Sequence, residues 1–232
     1  MKYRIASILL LSVLAGCSST SPTLKKPQTE LYSGGERVGD EARYYWFTEK
    51  NKAPVSASDY VISGAYNWYK TSYRWDNNLV REVSRVGAQR KDGKVVSFET
   101  LLRFDVRGEP IYQRYRIDGK VYPLTTEQID KYIQQARYVS KVTQEQDKQG
   151  LELIQGVWNG EKFVTCRARQ YARVQFNDSL PDFVINRLAS IDSYIAFLGK
   201  IRNNTIYIEK LLTLDDSEHQ CVTRPELLDE KN

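Results

Sequence analysis

A regular alternation of buried-type and polar residues is the feature of this chain that most restricts its fold. It extends from about Asp40 to Pro123, and Asp92-Gly93 and Asp118-Gly119 divide it. Its clearest stretch places one set of side chains at every second position: Val96, Phe98, Thr100, Leu102, Phe104 and Val106. Alternate side chains of a β-strand point to opposite faces, so the pattern predicts strands with one buried face. Because both dipeptides favour hairpin turns, the region is predicted to be an antiparallel meander.

Three earlier strands are predicted around Asp40–Glu49, Tyr60–Tyr69 and Leu79–Gln89. The outward positions of this sheet carry arginines among acidic residues: Arg81, Arg85, Arg103, Arg114 and Arg116. No basic run accompanies them, so a solvated charged face is favoured over a basic binding surface.

Aromatic residues are concentrated in the first half of the sheet, beginning with Tyr44-Tyr45-Trp46-Phe47. Adjacent rings on a strand point to opposite faces, so this run predicts a second buried surface or a cavity. The rings either stack on a ligand such as a sugar or fill a core. On the first alternative, the candidate ligand-binding residues are Trp46, Trp68, Tyr69 and Trp75.

A helix is predicted after Pro123, which ends the meander. Thr125 and Gln128 have the spacing of a capping box. Apolar residues then follow at helical spacing until the pattern fades towards Gly150: Ile129, Tyr132, Ile133, Ala136, Val139 and Val142. Core packing on the sheet is favoured over a membrane or partner face.

The remaining part is predicted to have the order strand, strand, strand, short helix, strand, strand. Asn159-Gly160 turns the first hairpin into a strand over Phe163–Arg169, and a strand over Tyr171–Phe176 follows. The helix begins near Pro181, with Ser179 as its cap. The last hairpin joins Ser193–Lys200 to Thr205–Leu214, with Asn203-Asn204 as its turn.

The predicted fold class is α+β, mainly antiparallel β, in two parts. Residues 31–150 form the meander sheet with its packed helix. Residues 151–232 form a smaller five-stranded barrel with one short helix, whose order of elements resembles that of an OB-type barrel. This resemblance implies no particular ligand.

The N-terminus has the pattern of a secretory signal. A basic start, Met1–Arg4, precedes the apolar run Ile5–Val13, which is shorter than the roughly 20 residues of a spanning helix. Residues 1–16 are therefore predicted to be cleaved. Residues 17–30 would hold Cys17 and a proline-containing flexible tether.

Leu14-Ala15-Gly16-Cys17 resembles the lipobox of bacterial lipoproteins. The resemblance implies that the Cys17 thiol receives a diacylglyceryl group and that the new amine is acylated, which would anchor the protein to a membrane. Ser18 stands where enterobacterial lipoproteins of the inner membrane carry Asp. The resemblance therefore implies attachment to the outer membrane, with the chain facing the periplasm.

Two further cysteines, Cys166 and Cys221, remain in a chain exported to an oxidising compartment. A structural disulfide is favoured over a metal site, because zinc requires four ligands and His219 is the only histidine. The acidic run Asp215–Glu218 lacks the glycine turn of a calcium loop, so no metal site is predicted.

No catalytic residue or cofactor is predicted, because the chain lacks the Gly-x-Ser-x-Gly, His-Glu-x-x-His and glycine-rich phosphate motifs. Paired carboxylates of a glycosidase are invisible in sequence and stay open. The net charge of +5, or +3 without the first sixteen residues, is too small for a nucleic-acid partner.

The whole chain also resembles the uncharacterised YjaH-type lipoproteins of enterobacteria. The resemblance rests on the length, the lipobox, the segment Arg43–Glu49 and the late cysteine pair, and it implies no activity. The expected function is non-enzymatic binding of a ligand or partner in the envelope. The alternatives are a lipid or lipoprotein carrier and a protein that binds or cleaves cell-wall glycan.

Overall fold

The structure is a computed structural model that describes residues 28–177 and 180–226. The predicted signal sequence, Cys17, Ser18 and the helix cap Ser179 lie outside these residues. Within them, the fold is α+β and mainly antiparallel, with two sheets and two helices, as predicted.

The first sheet has eight strands, each paired with the next along the chain. They are β1 (Thr29–Val38), β2 (Glu41–Lys50), β3 (Ala53–Ser63), β4 (Asn67–Asp76), β5 (Leu79–Lys91), β6 (Lys94–Phe104), β7 (Pro110–Ile117) and β8 (Lys120–Tyr122). The dipeptides Asp92-Gly93 and Asp118-Gly119 turn two of the hairpins with positive φ angles at both residues. The predicted meander is therefore confirmed.

Two details of the predicted strands are wrong. The strand expected over Tyr60–Tyr69 is divided between β3 and β4, because the chain turns at Gly64, where φ is +59°. Val106, expected on the buried face, follows the end of β6 and is 72% exposed. Asp105 ends the strand there, because its carboxylate accepts backbone hydrogen bonds from Arg107 and Glu109.

Helix α1 (Thr126–Lys148) packs on one face of this sheet. The capping box is confirmed, since the Thr125 hydroxyl accepts from the Gln128 amide and the Gln128 side chain accepts from the Thr125 amide. The helix stripe packs on the alternating strand residues in one apolar core that includes Tyr45, Phe47, Tyr73, Val83, Leu102, Ala136 and Val139.

The second sheet is nearly closed. Its strands are β9 (Glu152–Trp158), β10 (Phe163–Thr165), β11 (Gln170–Tyr171), β12 (Arg173–Phe176), β13 (Ser193–Arg202) and β14 (Thr205–Asp216), with α2 (Asp182–Ser190) between β12 and β13. The spatial order is β11-β10-β9-β13-β14-β12, so Ala172 alone separates the two edge strands in the chain. Opposite edges must therefore lie close together.

This closure explains why the second sheet has six strands where five were expected. The strand predicted over Tyr171–Phe176 is split at Ala172, because its first residues pair with β10 and its last with β14. The pairing of β12 with β14 is parallel. The N-cap of α2 is Pro181 and not the predicted Ser179, although the helix does begin near Pro181 as expected. Asn203-Asn204 turns the last hairpin, as predicted.

The second sheet packs on the face of β1 and β2 that points away from α1. Tyr44 and Ala42 form a buried cluster there with Tyr194 and Ala196. The Tyr44 hydroxyl lies 2.6 Å from the hydroxyl of Thr213. The second buried surface predicted from the aromatic run is therefore present, and it is an interface between the two sheets.

Candidate functional site

The four aromatic candidates lie on two different faces of the first sheet. Trp46 and Trp68 point away from α1, whereas Tyr69 and Trp75 point towards it. Trp75 is a core residue with 7% exposure, and Trp68 is 36% exposed at the sheet surface. The structure therefore does not bring the four rings together.

A buried polar row crosses the sheet beneath α1. Its members are paired across neighbouring strands: Asp59, Thr71, Arg85 and Thr100. Helix α1 supplies Tyr132, whose hydroxyl lies 2.9 Å from that of Thr100. Gln135 extends the row, because it donates to Asp59 and accepts from Arg85.

Arg85 was expected on the solvated face, and this prediction is wrong. Its strand neighbour Val83 belongs to the α1 core, and alternation places Arg85 on the same face. The charge is accommodated because the guanidinium lies 4.1 Å from the ring centre of Tyr69 and 4.6 Å from that of Tyr132. It also donates to Thr71 and Gln135 at 2.8 and 2.7 Å.

Asp59 is fully buried within this row. Its Oδ2 accepts from the Tyr73 hydroxyl at 3.0 Å and from Gln135 at 2.8 Å, whereas Oδ1 has no hydrogen-bond partner among the described residues. Burial raises the pKa of Asp59, against the lowering effect of Arg85. Since α1 covers the carboxyl group, the row offers no open face to a substrate.

A cleft of about 680 Å³ lies where the first sheet meets the second, and we call it the inter-sheet cleft. Its first wall comes from β1 and β2, with Leu31 74% exposed and Trp46 partly buried. The opposite wall comes from β9, β10 and the turn after β10. Further residues around the cleft include Tyr32, Ser33, Leu153, Gln155, Tyr171 and Ile201. Of the four aromatic candidates, Trp46 lines this cleft.

The third wall is the C-terminal segment Cys221–Glu226, which we call the tail. A disulfide joins Cys221 to Cys166, with the two Cα atoms 6.0 Å apart, so the predicted bridge is present. Gln155 holds the next residue, because its amide donates to the Val222 carbonyl and accepts from the Val222 N–H. The tail is thereby fixed to the second sheet.

The tail is also fixed to the first sheet. Arg224 donates to the hydroxyls of Thr48 at 2.7 Å and Ser56 at 2.9 Å. Ser58 donates to the Pro225 carbonyl at 2.7 Å. The tail therefore bridges both sheets and closes one side of the inter-sheet cleft.

A rigid turn, Thr165–Arg169, presents two arginines at the edge of the cleft, and we call it the basic turn. The Thr165 hydroxyl accepts from the backbone of Arg167 and Arg169, and the Thr165 N–H donates to the Arg169 carbonyl. Ala168 has a φ of +60°, which lies in the left-handed region that residues other than glycine rarely adopt. Both guanidinium groups are without a carboxylate within 4.0 Å in the part of the chain that the structure describes.

A smaller cleft on the first sheet is lined by three arginines and two carboxylates, and each arginine lies within 4.0 Å of one of these carboxylates. Its lining includes Arg74 and Glu82, which are 2.9 Å apart, and Arg81 and Asp76, which are 3.5 Å apart. Pairing within the lining is what a solvated charged face requires. The cleft therefore carries no unsatisfied charge that points to a ligand.

His219 belongs to the packing of the second sheet. Its ring stacks on Tyr194 with the ring centres 4.2 Å apart, and Asp215 lies 3.8 Å from its Nε2. Among residues 28–177 and 180–226, no group of three or more potential ligands is placed to hold a metal ion.

Most of the inter-sheet cleft was missed by sequence reasoning. Arg167 and Arg169 lie in a segment that was assigned to a strand, and Gln155 carries no local signal. The one usable signal was the cysteine pair, which places residue 166 beside residue 221 and so brings the tail to the end of β10.

Comparison with known proteins adds one result. The family model described as "Protein of unknown function (DUF1481)" matches residues 33–226, a range that contains both helices and nearly all of the strand residues. No curated protein and no solved structure matches the chain. Because the model matches most of its length, the chain belongs to the DUF1481 family of proteins of unknown function.

Proposed function

We propose that this protein is a lipid-anchored protein of the bacterial outer membrane that binds a ligand in the inter-sheet cleft without transforming it. The anchor is Cys17, and the chain faces the periplasm. The lipobox, Ser18 and the resemblance to the YjaH-type lipoproteins support the address. No helix among the described residues has the length and apolarity needed to cross a membrane.

The observation that carries the binding role is the construction of the cleft. Both sheets and the tail contribute walls, and their relative positions are fixed by the disulfide, by Gln155 and by Arg224. A preformed cleft of about 680 Å³ with an aromatic wall and a few polar groups is typical of a small-molecule site. The partly exposed Trp46 supplies that wall.

The polar row supports a non-enzymatic role. A glycan-cleaving protein needs two carboxyl groups on either side of the bond to be broken. Asp59 has the raised pKa expected of a general acid, but it is fully buried and its hydrogen-bond partners are Tyr73 and Gln135. We therefore assign it to the core and not to catalysis.

The packing beneath α1 argues against the lipid-carrier alternative at that position. The space that a carrier would leave for acyl chains is filled by fully buried side chains, among them Tyr73, Leu102, Ala136 and Val139. If the protein binds a lipid, the inter-sheet cleft is where the lipid would lie.

The address is tested by metabolic labelling with radioactive palmitate. We expect the wild-type chain to incorporate the label and to fractionate with the outer membrane. Cys17→Ser should lose the label, whereas Cys221→Ser should keep it. Labelling of the Cys17→Ser chain, or recovery of the lipidated protein in the inner membrane, would contradict the proposed anchor.

The binding role is tested on the chain that begins at Ser18, which keeps every element of the fold. The protein is exported to the periplasm, purified gently and weighed under native and denaturing conditions. We expect a non-covalent passenger on the wild type and on Trp68→Ala, but not on Trp46→Ala. Trp68 is the matched control because it lies on the same sheet face outside the cleft. A wild-type protein without a passenger, or a passenger kept by Trp46→Ala, would contradict the proposal.

A further inference from the structure

We propose that the ligand of the inter-sheet cleft is a sugar acid, with its ring against Trp46 and its carboxylate at the basic turn. This inference rests on the proposed function and names the chemical class of the ligand. It follows from three properties of the cleft: the two arginines of the basic turn, which have no carboxylate partner among the described residues, the mixed character of its lining, and its size.

The basic turn supplies positive charge that the described residues do not neutralise. Neither Arg167 nor Arg169 has a carboxylate partner there, and Glu152 is the only acidic residue among the described residues that line the cleft. The backbone hydrogen bonds of Thr165 and the nearby disulfide fix the turn, so the two side chains start from a rigid base. Arginine recognises a carboxylate through paired hydrogen bonds, and these are stronger than bonds between neutral groups.

The lining favours a sugar over an acyl chain. The ring of Trp46 offers an apolar face, but hydroxyl and amide groups interrupt the surface around it: Ser33, Gln155, Thr165 and Thr223. The Ser33 and Thr165 hydroxyls each accept a backbone hydrogen bond, but neither donates one to another described residue. An acyl chain would bury these O–H groups without an acceptor, which costs free energy. A sugar presents an apolar ring face to the indole and hydroxyl groups to the polar side chains.

The size is consistent with a short ligand. A volume of about 680 Å³ lies within the range of about 300 to 1,000 Å³ that holds small molecules in proteins. The cleft is bounded on one side by the tail, which crosses between the sheets. A monosaccharide or disaccharide fits this space. A long glycan would need a groove that is open at both ends, and the tail closes one side of the cleft.

The experiment compares two sugars that share one ring. N-acetylmuramic acid carries a lactyl carboxylate that N-acetylglucosamine lacks. Each is titrated by calorimetry into the chain that begins at Ser18. We expect the wild type to bind the acid about tenfold or more tightly than the neutral sugar, because a charge-assisted hydrogen bond is worth at least that factor.

The charge contribution is isolated by a pair of double variants. We expect Arg167→Gln with Arg169→Gln to abolish the preference for the acid while leaving the weak binding of the neutral sugar. Arg90→Gln with Lys91→Gln removes the same charge from the exposed C-terminal end of β5, outside the cleft. This control variant should keep the preference for the acid over the neutral sugar. Trp46→Ala should weaken the binding of both sugars.

Several outcomes would overturn the inference. Equal affinity for the two sugars, or an equal loss in both double variants, would show that the basic turn does not recognise a carboxylate. Binding of myristate with no binding of either sugar would assign the cleft to lipid. If neither sugar binds but Trp46→Ala still loses the native passenger, the proposed function stands and the sugar acid falls. If the wild type carries no passenger and binds neither sugar, the proposed function and the sugar-acid inference are both wrong.

Discussion

Asp59 is kept in the core of this protein by the side chains around it. Burying a carboxylate is costly unless hydrogen bonds or an opposite charge compensate. Tyr73 and Gln135 donate to one of its oxygens, and Arg85 lies in the same row without an ion pair to it among the described residues. The compensation is incomplete, since Oδ1 has no partner among those residues. Asp59 should therefore make stability depend on pH.

We expect the contribution of Asp59 to the free energy of unfolding to fall as the pH rises above about 4. Burial raises the pKa of Asp59 in the folded chain above its unfolded value of about 3.9, so the folded state binds the proton more tightly. The free energy of unfolding then decreases with pH until the raised pKa is passed. Asp59→Asn lacks this contribution and should match wild type at or below pH 4 and exceed it at higher pH.

Urea unfolding at a series of pH values measures this difference. It should grow to about 1.4 kcal/mol for each unit by which the pKa is raised. The control is Asp40→Asn at an exposed carboxyl group, which should keep the wild-type pH dependence. A difference between Asp59→Asn and wild type that stays constant with pH would show that burial does not raise the pKa of Asp59.

For single residues, the sequence predicts which side chains of a strand share a face of the sheet, but not which of the two faces another element covers. From the sequence, Trp46 and Trp75 are equally good candidates for a binding role. In the structure Trp46 lines the inter-sheet cleft, whereas Trp75 belongs to the apolar core beneath α1. The difference arises because α1 covers one face and the second sheet covers only part of the other. Arg85 was misplaced for the same reason, since its arginine neighbours along the chain are solvated.

Elements whose ends are set by local chemistry could be predicted well. The capping box of α1 and the Asp-Gly turns depend on residues within four positions of one another, so one sequence window contains the whole signal. Where a boundary depends on a distant partner, prediction failed. The split at Ala172 exists because β11 pairs with β10 and β12 pairs with β14.

We expect Thr125→Ala to lower the free energy of unfolding by about 1 kcal/mol. The substitution removes the hydroxyl that accepts the Gln128 amide, and it leaves the start of α1 without its side-chain acceptor. Thr125→Ser retains the acceptor and should remain close to wild type. Chemical denaturation of the three chains tests this directly. Equal stability of the alanine and serine variants would mean that the cap adds nothing to the packed helix.

The molecule as a whole is two sheets joined through β1 and β2, with the tail as a second connection. Gly35 allows the close approach, because a Cβ there would lie 2.6 Å from both the Leu212 side chain and the Arg43 carbonyl. Arg37 donates to the Leu212 carbonyl at 2.8 Å. None of these contacts has a local sequence signal, so the inter-sheet cleft follows from the assembled fold alone.

The disulfide should stabilise this arrangement. Cys166 and Cys221 are 55 residues apart, and the chain-entropy model gives about 4 kcal/mol for a loop of that length. We expect Cys166→Ser with Cys221→Ser to lose stability of this order in urea. Amide exchange at Val222 should also accelerate, since the tail would then keep its hydrogen bonds with Gln155, Arg224 and Ser58 but lose its covalent link to β10. Unchanged exchange at Val222 would mean that the hydrogen bonds alone fix the tail.

The tryptophan indole signals report whether the ligand lies in the inter-sheet cleft, because Trp46 lines the cleft and the other tryptophans do not. The chain has four tryptophans, so a ¹⁵N–¹H spectrum contains four such signals. We would record it on the protein with its co-purified passenger and again after unfolding and refolding without the passenger. We expect the signal of Trp46 to move while those of Trp68 and Trp75 stay in place. Movement of the Trp75 signal with an unchanged Trp46 signal would place the ligand beneath α1 and contradict this expectation.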